Sequence, residues 1–137
     1  MVVKLVGRLP HALLIYGASG IGKRAFAERL AQFLLCESRT GGGEPCGTCD
    51  GCRWFVAGSH PDVRRVEPES LAKRVSDEDE LSGQRSAKPS SEIKVEQVRE
   101  LADFLALGSH RGRLRVALVH PAEDMNLHAA NALLKSL

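Results

Sequence analysis

The sequence predicts an α/β protein of three layers, in which helices cover both faces of a parallel sheet. Three observations lead to this prediction. An apolar strand pattern runs into a glycine-rich turn and an amphipathic helix, strand and helix patterns then keep alternating, and four cysteines follow the first helix. The chain has 137 residues, which suits one compact domain. Its apolar runs are far shorter than the roughly 20 residues of a membrane helix, so we expect no membrane association.

Composition excludes several other classes of protein. The chain is 43% hydrophobic and 26% charged, as in ordinary globular proteins, and its formal net charge is +2. That near balance requires neither a nucleic-acid nor a membrane surface. One Trp, one Tyr and four Phe are too few for a base-stacking platform. Because residues 1–10 show no secretory signal pattern, the expected compartment is the reducing cytoplasm.

The first strand, turn and helix have the clearest patterns. Residues 11–16 form an apolar run between Pro10 and Gly17, typical of a strand that is covered on both faces. Glycines then dominate the turn up to residue 22. The helix predicted over 23–35 has its apolar residues at helical spacing, namely Phe26, Leu30, Phe33 and Leu34.

The later elements follow from the same periodicities. They are a helix over 51–57, an edge strand over 62–66, a helix with Val95, Val98, Leu101, Ala102 and Leu105 on its apolar face, a strand over 114–119, and a helix that Asn126 caps and that carries Leu127, Ala130, Leu133, Leu134 and Leu137. Residues 67–92 are rich in Ser, Asp, Glu and Lys, which predicts a mobile surface loop. The sequence ends within an apolar helical pattern, so we expect part of a longer domain.

The glycine-rich turn matches a phosphate-binding motif except at its last position. Residues 17–24 fit G-x-x-x-x-G-K but have Arg24 where Ser or Thr is required. The candidate binding residues are Gly17, Gly20, Gly22 and Lys23, because such glycines turn backbone N–H groups toward phosphate and the lysine bridges its terminal groups. With a strand before it and a helix after it, the motif predicts a P-loop NTPase fold rather than a chance glycine loop.

Two features argue against ATP hydrolysis at this loop. Arg24 has no hydroxyl for Mg²⁺, and the last strand ends in His120-Pro121 where an active site needs acidic residues. Glu123 and Asp124 arrive three residues late and are predicted to begin the turn before the last helix. We therefore expect no bound Mg²⁺, doubtful ATP binding and no catalytic residue.

The cysteines form the second candidate site. Cys36, Cys46, Cys49 and Cys52 contain two overlapping C-x2-C steps. Four thiolates with no open position are typical of structural zinc, and residues 36–58 are then a zinc-binding insertion. An iron–sulfur cluster and a disulfide remain alternatives.

Residues 46–53 (Cys-Gly-Thr-Cys-Asp-Gly-Cys-Arg), 58–62 (Gly-Ser-His-Pro-Asp) and 131–137 (Asn-Ala-Leu-Leu-Lys-Ser-Leu) carry a family resemblance. Together with the phosphate loop, they resemble the bacterial DNA polymerase III clamp loader along almost the whole chain. The family usually has eight residues between its first two cysteines, whereas this chain has nine. The resemblance implies that residues 1–137 are part of an AAA+ nucleotide-binding domain, truncated before the arginine finger.

The resemblance also implies partners and a role. The implied assembly is a heteropentamer that opens the sliding clamp and places it on primed DNA, with the motor (tau/gamma) and delta subunits as direct partners. Its motor subunits keep G-K-Thr/Ser and Asp-Glu, so this chain is more similar to a member that does not hydrolyse ATP. Two alternatives remain: an active P-loop ATPase of the motor type, and an unrelated zinc-ribbon adaptor with an accidental glycine loop.

The resemblance further implies the sheet order 5-1-4-3-2. In that order the second and third predicted strands are neighbours, while the first and third are separated by a strand from beyond residue 137. Neighbouring strands lie about 4.8 Å apart, so the first and third should lie roughly 9.6 Å apart. A backbone ladder between Leu14 or Ile15 and Ala117 or Leu118 would instead indicate a doubly wound order.

Overall fold

The structure is a computed structural model that describes residues 10–39, 42–76, 90–109 and 114–137. In those ranges the elements are α1 (Lys23–Leu35), α2 (Asp50–Val56), β1 (Val63–Val66), α3 (Glu69–Ser76), α4 (Val95–Ala106), β2 (Val116–Val119), a 3₁₀ turn (Ala122–Asp124) and α5 (Leu127–Ser136). The chain is therefore a mixed α/β protein, as predicted. Helix α1 has the predicted bounds, and the other predicted helices differ by one or two residues.

The interval 67–92, predicted to be a loop, begins with a helix. Helix α3 occupies Glu69–Ser76, and its first turn is closed by Leu71 N and Ala72 N, which both donate to the carbonyl oxygen of Pro68. Proline fixes its own φ near the helical value, which favours a helix start. The rest of the predicted loop, residues 77–89, lies outside the described residues.

Strands β1 and β2 pair in parallel. Val116 N donates to Asp62 O at 2.9 Å and His120 N donates to Val66 O at 3.0 Å. Both partners advance by four residues between these bonds, so the strands run in the same direction. This is the sheet formed within the described residues, and it joins the second and third predicted strands.

The first predicted strand forms no backbone ladder in the described part of the chain. Residues 11–16 have no strand assignment, and Leu14 and Tyr16 are 75% and 86% exposed. The prediction that this segment is covered on both faces is wrong for this structure. A strand is defined by its partner, and no described segment pairs with these residues.

The chain divides into two compact units, and the first contains both candidate sites. It comprises Met1–Val63, Gly108–Leu118 and Leu137. Its core is a cluster from α1, α2 and both strands: Ala31, Leu35, Phe55, Val63, Val116 and Leu118. The buried face of α1 differs from the predicted one, because Phe26 is exposed while Ala31 and Leu35 are buried.

The second unit is built on helix packing. It comprises Arg64–Leu107 and Val119–Ser136, and α4 packs against α5. The buried face of α4 runs through Val98, Leu101 and Phe104, rather than ending at the predicted Leu105, which is exposed. The predicted cap of α5 is confirmed, because Asn126 Oδ1 accepts from Ala129 N at 2.9 Å. Of the predicted apolar face of α5, Leu127, Leu134 and Leu137 are exposed.

Candidate metal centre and glycine loop

The four cysteines come from one helix end, one loop and one helix start. Cys36 is the residue at which α1 ends, Cys46 lies in the following loop, and Cys52 lies in the first turn of α2. Cys49 caps that helix, because its sulfur accepts a hydrogen bond from Cys52 N. The loop makes its turn at Gly47, whose φ of +75° favours glycine.

The four sulfurs converge on one point, as the sequence predicts. All four lie within 4.8 Å of one another, and the Cys46–Cys52 and Cys36–Cys49 pairs are 4.0 Å apart. A tetrahedral zinc with Zn–S bonds of about 2.3 Å has S···S edges of about 3.8 Å. A disulfide needs about 2.05 Å, and none of these four cysteines forms one.

Backbone N–H groups point at these sulfurs. Cys46 N donates to Cys36 Sγ, Cys49 N to Cys46 Sγ, and Cys52 N to Cys49 Sγ, each at 3.4 Å. The hydroxyl of Thr48 adds a bond of 3.7 Å to Cys46 Sγ. Donors of this kind stabilise the charged thiolate over the neutral thiol, and the thiolate is the form that ligates metals.

The cysteines differ in how readily they ionise. Hydrogen bonds from the backbone of Cys49 and from Thr48 lower the pKa of Cys46 to about 6. Burial opposes ionisation of Cys49, but backbone donors from Glu37 and Cys52 outweigh it and lower its pKa. Burial raises the pKa of Cys52 to about 12. Metal binding would deprotonate the thiols that remain, because a metal is ligated by the thiolate form.

The donor set and its burial fit a closed metal site. Cys36 and Cys52 are 0% exposed, and the four sulfurs would supply all four ligands of a tetrahedral ion. No corner is left for a water or a substrate, so the arrangement supports a structural ion rather than a catalytic one. The described residues therefore contain a group of four cysteines that can hold a metal ion.

Three glycines of the loop adopt backbone conformations that favour glycine. Gly17, Gly20 and Gly22 have φ values of +149°, +81° and +89°, which residues with a Cβ rarely adopt. A Cβ on Gly17 would also lie 2.8 Å from Ile21 Cδ1. Helix α1 begins directly after Gly22, with no side-chain cap and no acidic residue in its first turn. The N–H groups of that turn, and the positive end of the helix dipole, favour an anion.

Lys23 lies at the start of α1 and closes the loop. Its Nζ donates to Gly17 O at 2.7 Å and to Ala18 O at 2.8 Å. An ammonium group has three donors, so these bonds leave one N–H for an anion. Of the predicted loop residues, Gly17 and Lys23 are brought together by this bond.

The structure places the residues that the sequence predicts to prevent ATP hydrolysis. Arg24 lies in the first turn of α1, one residue after Lys23. His120 directly follows β2, and its N–H donates to Val66 O. Glu123 and Asp124 lie in the 3₁₀ turn before α5, which confirms the prediction that they form a turn there.

Sequence reasoning missed a buried polar network beside the cysteines. Asp62 is 1% exposed and His60 is 7% exposed, and Asp62 contacts both Ser109 and Arg115. The sequence feature that could have indicated this network is the segment Gly58–Asp62. It was used only for the family resemblance, and no physical role was assigned to its residues.

These features define a class: an α/β protein with a glycine-rich loop at a helix start and a group of four cysteines that can hold a metal ion. A profile of the family described as "DNA polymerase III, delta subunit" matches residues 5–137. The chain therefore belongs to the DNA polymerase III delta subunit family. That membership removes the interpretation as an unrelated zinc-ribbon adaptor.

The chain is similar to curated relatives of two kinds, delta' subunits and tau subunits. It is 43% identical over 127 residues to "DNA polymerase III subunit delta'" of Pseudomonas aeruginosa, covering 93% of this chain and 33% of that protein. It is 31% identical over 130 residues to the delta' subunit of Bacillus subtilis, covering 95% of this chain and 33% of that protein. It is 33% identical over 132 residues to "DNA polymerase III subunit tau" of Escherichia coli, covering 96% of this chain and 17% of that protein.

The chain spans about a third of the length of the delta' relatives. In the part of the chain that the structure describes, no helix is long and apolar enough to cross a bilayer.

Proposed function

We propose that the chain is part of a non-hydrolysing AAA+ subunit of a replicative clamp loader, which helps to place the sliding clamp on primed DNA. Family membership and the delta' and tau relatives support the assembly. The sequence resemblance supports the task. The direct partners are then the tau/gamma and delta subunits, the sliding clamp and DNA are reached through the complex, and the site of action is the cytoplasm.

One observation carries the proposal that this subunit does not hydrolyse ATP. The loop has the glycine backbone and the lysine of a nucleotide site, yet Arg24 follows Lys23 where a magnesium-binding hydroxyl is needed. The end of β2 offers His120 instead of a carboxylate. Both groups that would organise Mg²⁺ and the attacking water are replaced, so Gly17, Gly20, Gly22 and Lys23 form a degenerate phosphate site.

The AAA+ assignment is supported by the pairing of the strands. The order 5-1-4-3-2 makes the second and third predicted strands neighbours, and β1 pairs with β2.

We further propose that Cys36, Cys46, Cys49 and Cys52 bind one structural zinc ion. The S···S distances of 4.0 Å are close to the edges of a zinc–thiolate tetrahedron, and the N–H donors stabilise thiolates. The ion would join the end of α1 to the start of α2. Formation of such sites contributes on the order of 10 kcal/mol to the ordering of the loop that carries the ligands.

The ATPase proposal is tested in the reconstituted loader. The purified full-length protein alone should release no phosphate from MgATP, and the loader assembled with it should retain clamp loading. Turnover by the isolated subunit would instead favour the motor-type ATPase, the alternative that the tau relative keeps open.

The zinc proposal is tested by metal analysis of freshly reduced protein. We expect one zinc per chain in the wild type and less than about a tenth of that in Cys52→Ser, because removal of one of four thiolates opens the site. Thr48→Ala, which removes only a hydroxyl donor to Cys46, is the matched control and should keep its zinc. Stoichiometric iron, or no metal in the wild type, would contradict the proposal.

A further inference from the structure

The segment from Gly58 to Asp62 connects α2 to β1, and the proposed function leaves it without a role. Its turn is fixed by Ser59 N, which donates to Trp54 O at 2.9 Å, and by Gly58 N, which donates to Phe55 O at 3.1 Å. Two polar side chains of this segment, His60 and Asp62, are buried. A buried carboxylate is costly without compensating partners, so its partners indicate what it does.

Asp62 contacts three residues, two that precede β2 in the chain and one at the start of β2. Ser109 Oγ donates to Asp62 Oδ2 at 3.0 Å, and Arg115 Nε lies 3.6 Å from Asp62 Oδ1. Val116 N donates to the backbone oxygen of Asp62 at 2.9 Å, which is the first bond of the strand pair. The position of Asp62 therefore sets where β2 begins.

His60 binds the backbone amide of Asp62. Asp62 N donates to His60 Nδ1 at 3.1 Å, so in the neutral ring Nε2 carries the proton. The ring meets Trp54 edge-on, with centroids 6.2 Å apart and planes at 71°. Trp54 belongs to α2, two residues after the ligand Cys52.

The Nε2 side of the same ring adjoins the backbone that carries the buried cysteines. A Cβ built on Gly51 would lie 3.7 Å from His60 Nε2 and 2.8 Å from the backbone oxygen of Leu35. Leu35 directly precedes Cys36, and Gly51 directly precedes Cys52. The absent side chain at Gly51 thus allows the imidazole, the end of α1 and the start of α2 to meet.

We propose that His60 and Asp62 are positioning residues through which metal binding at the four cysteines orders the start of β2. The proposal rests on the proposed metal site. A bound ion fixes Cys36 and Cys52 relative to each other, and with them the backbone around Gly51 against which the imidazole packs. The imidazole holds the amide of Asp62, and Asp62 holds Ser109, Arg115 and Val116. Partners beyond the ligands of a metal site commonly contribute 10–100-fold to metal affinity.

The test is hydrogen exchange at the amide of Val116, in the full-length protein with zinc and after zinc is stripped by a chelator. In the wild type, removal of zinc should raise the exchange rate of this amide by about tenfold, because local opening of the strand start becomes easier. The His60→Asn variant keeps an oxygen near the position of Nδ1 but lacks the rest of the ring. It should bind zinc about tenfold more weakly, and its Val116 exchange rate should no longer respond to zinc.

His128→Asn is the matched control, because His128 is exposed on α5. It should behave as the wild type in both measurements. The proposal is overturned if zinc binds the wild-type protein while the Val116 rate stays the same with and without it, or if His60→Asn keeps the wild-type response. The first of these outcomes needs no variant, so a His60→Asn protein that fails to fold does not remove the test. If the wild type binds no zinc, the proposed metal site fails and this inference fails with it, which distinguishes the two failures.

Discussion

Lys23 Nζ lies 2.7 Å from the backbone oxygen of Gly17, so the lysine of the glycine loop is bound by the loop that it would use to hold phosphate. A second bond, to Ala18 O at 2.8 Å, leaves the ammonium one further donor. An anion bound there would meet the first-turn N–H groups of α1 and one N–H of the lysine.

Arg24→Thr supplies the missing hydroxyl and should not produce ATP turnover. The end of β2 still lacks carboxylates, so the water that attacks phosphate stays unoriented. Phosphate release by the variant should equal that of the wild type.

By calorimetry, Mg²⁺ should tighten ATP binding to the wild type by less than tenfold, about 1.4 kcal/mol. A tenfold or greater effect would show that the loop still organises Mg²⁺.

Gly22→Ala should destabilise the protein by about 1–2 kcal/mol, the cost of a left-handed backbone at a residue with a Cβ. Its φ is +89°, and no atom lies within 4 Å of the added Cβ, so the cost is purely conformational. Gly108→Ala is the matched control, since that site is equally open and its φ lies outside the positive range. Urea unfolding should show the control to be neutral or slightly stabilised. Equal losses for both variants would contradict this account.

Two neighbours on α2 should respond very differently to truncation. Phe55 is 6% exposed and belongs to the core of the first unit, whereas Val56 is 76% exposed. Phe55→Ala should lower the free energy of unfolding by about 3–5 kcal/mol through a cavity, and Val56→Ala should change it by less than about 0.5 kcal/mol. Denaturant midpoints at a common slope measure both. A small effect at Phe55 would show that this cluster is not the core.

Zinc binding should release protons and should tighten as the pH rises. Burial raises the pKa of Cys52 to about 12, so at neutral pH its thiol loses a proton when it becomes a ligand. Hydrogen bonds lower the pKa of Cys46 to about 6, so Cys46 contributes a proton only below about that pH. Calorimetry in buffers of different ionisation enthalpy should find at least one proton released at pH 7.5, and more at pH 6. A binding constant that is independent of pH would contradict this prediction.

Local patterns in the sequence predict most helices and strands, because helix starts and glycine turns depend on adjacent residues. Helix α1 has its predicted bounds, and Asn126 caps α5 as predicted. Which face is buried depends on neighbours that are distant in sequence. The predicted faces therefore fail at Phe26 and Leu105, both exposed.

The candidate sites divide in the same way. The cysteine spacing predicts that the four sulfurs converge, and they do. Two other contacts depend on three-dimensional geometry that residue spacing in the sequence does not predict. They are the bond from Lys23 to Gly17 O and the bond from Ser109 to Asp62. Asp62 and Ser109 are 47 positions apart in the sequence, which shows how distant such partners can be.

Gly51 gives the four-cysteine segment, residues 36–52, an unusually strict sequence requirement. The atom that an added Cβ would strike is the backbone oxygen of Leu35, at 2.8 Å, and a backbone atom cannot turn aside as the end of a flexible side chain does. In a library with position 51 fully randomised and selected for stable folding, glycine should be the residue recovered, with even alanine depleted. A similarly randomised position 47 should admit asparagine as well, because there the restriction is a left-handed φ with open space around it.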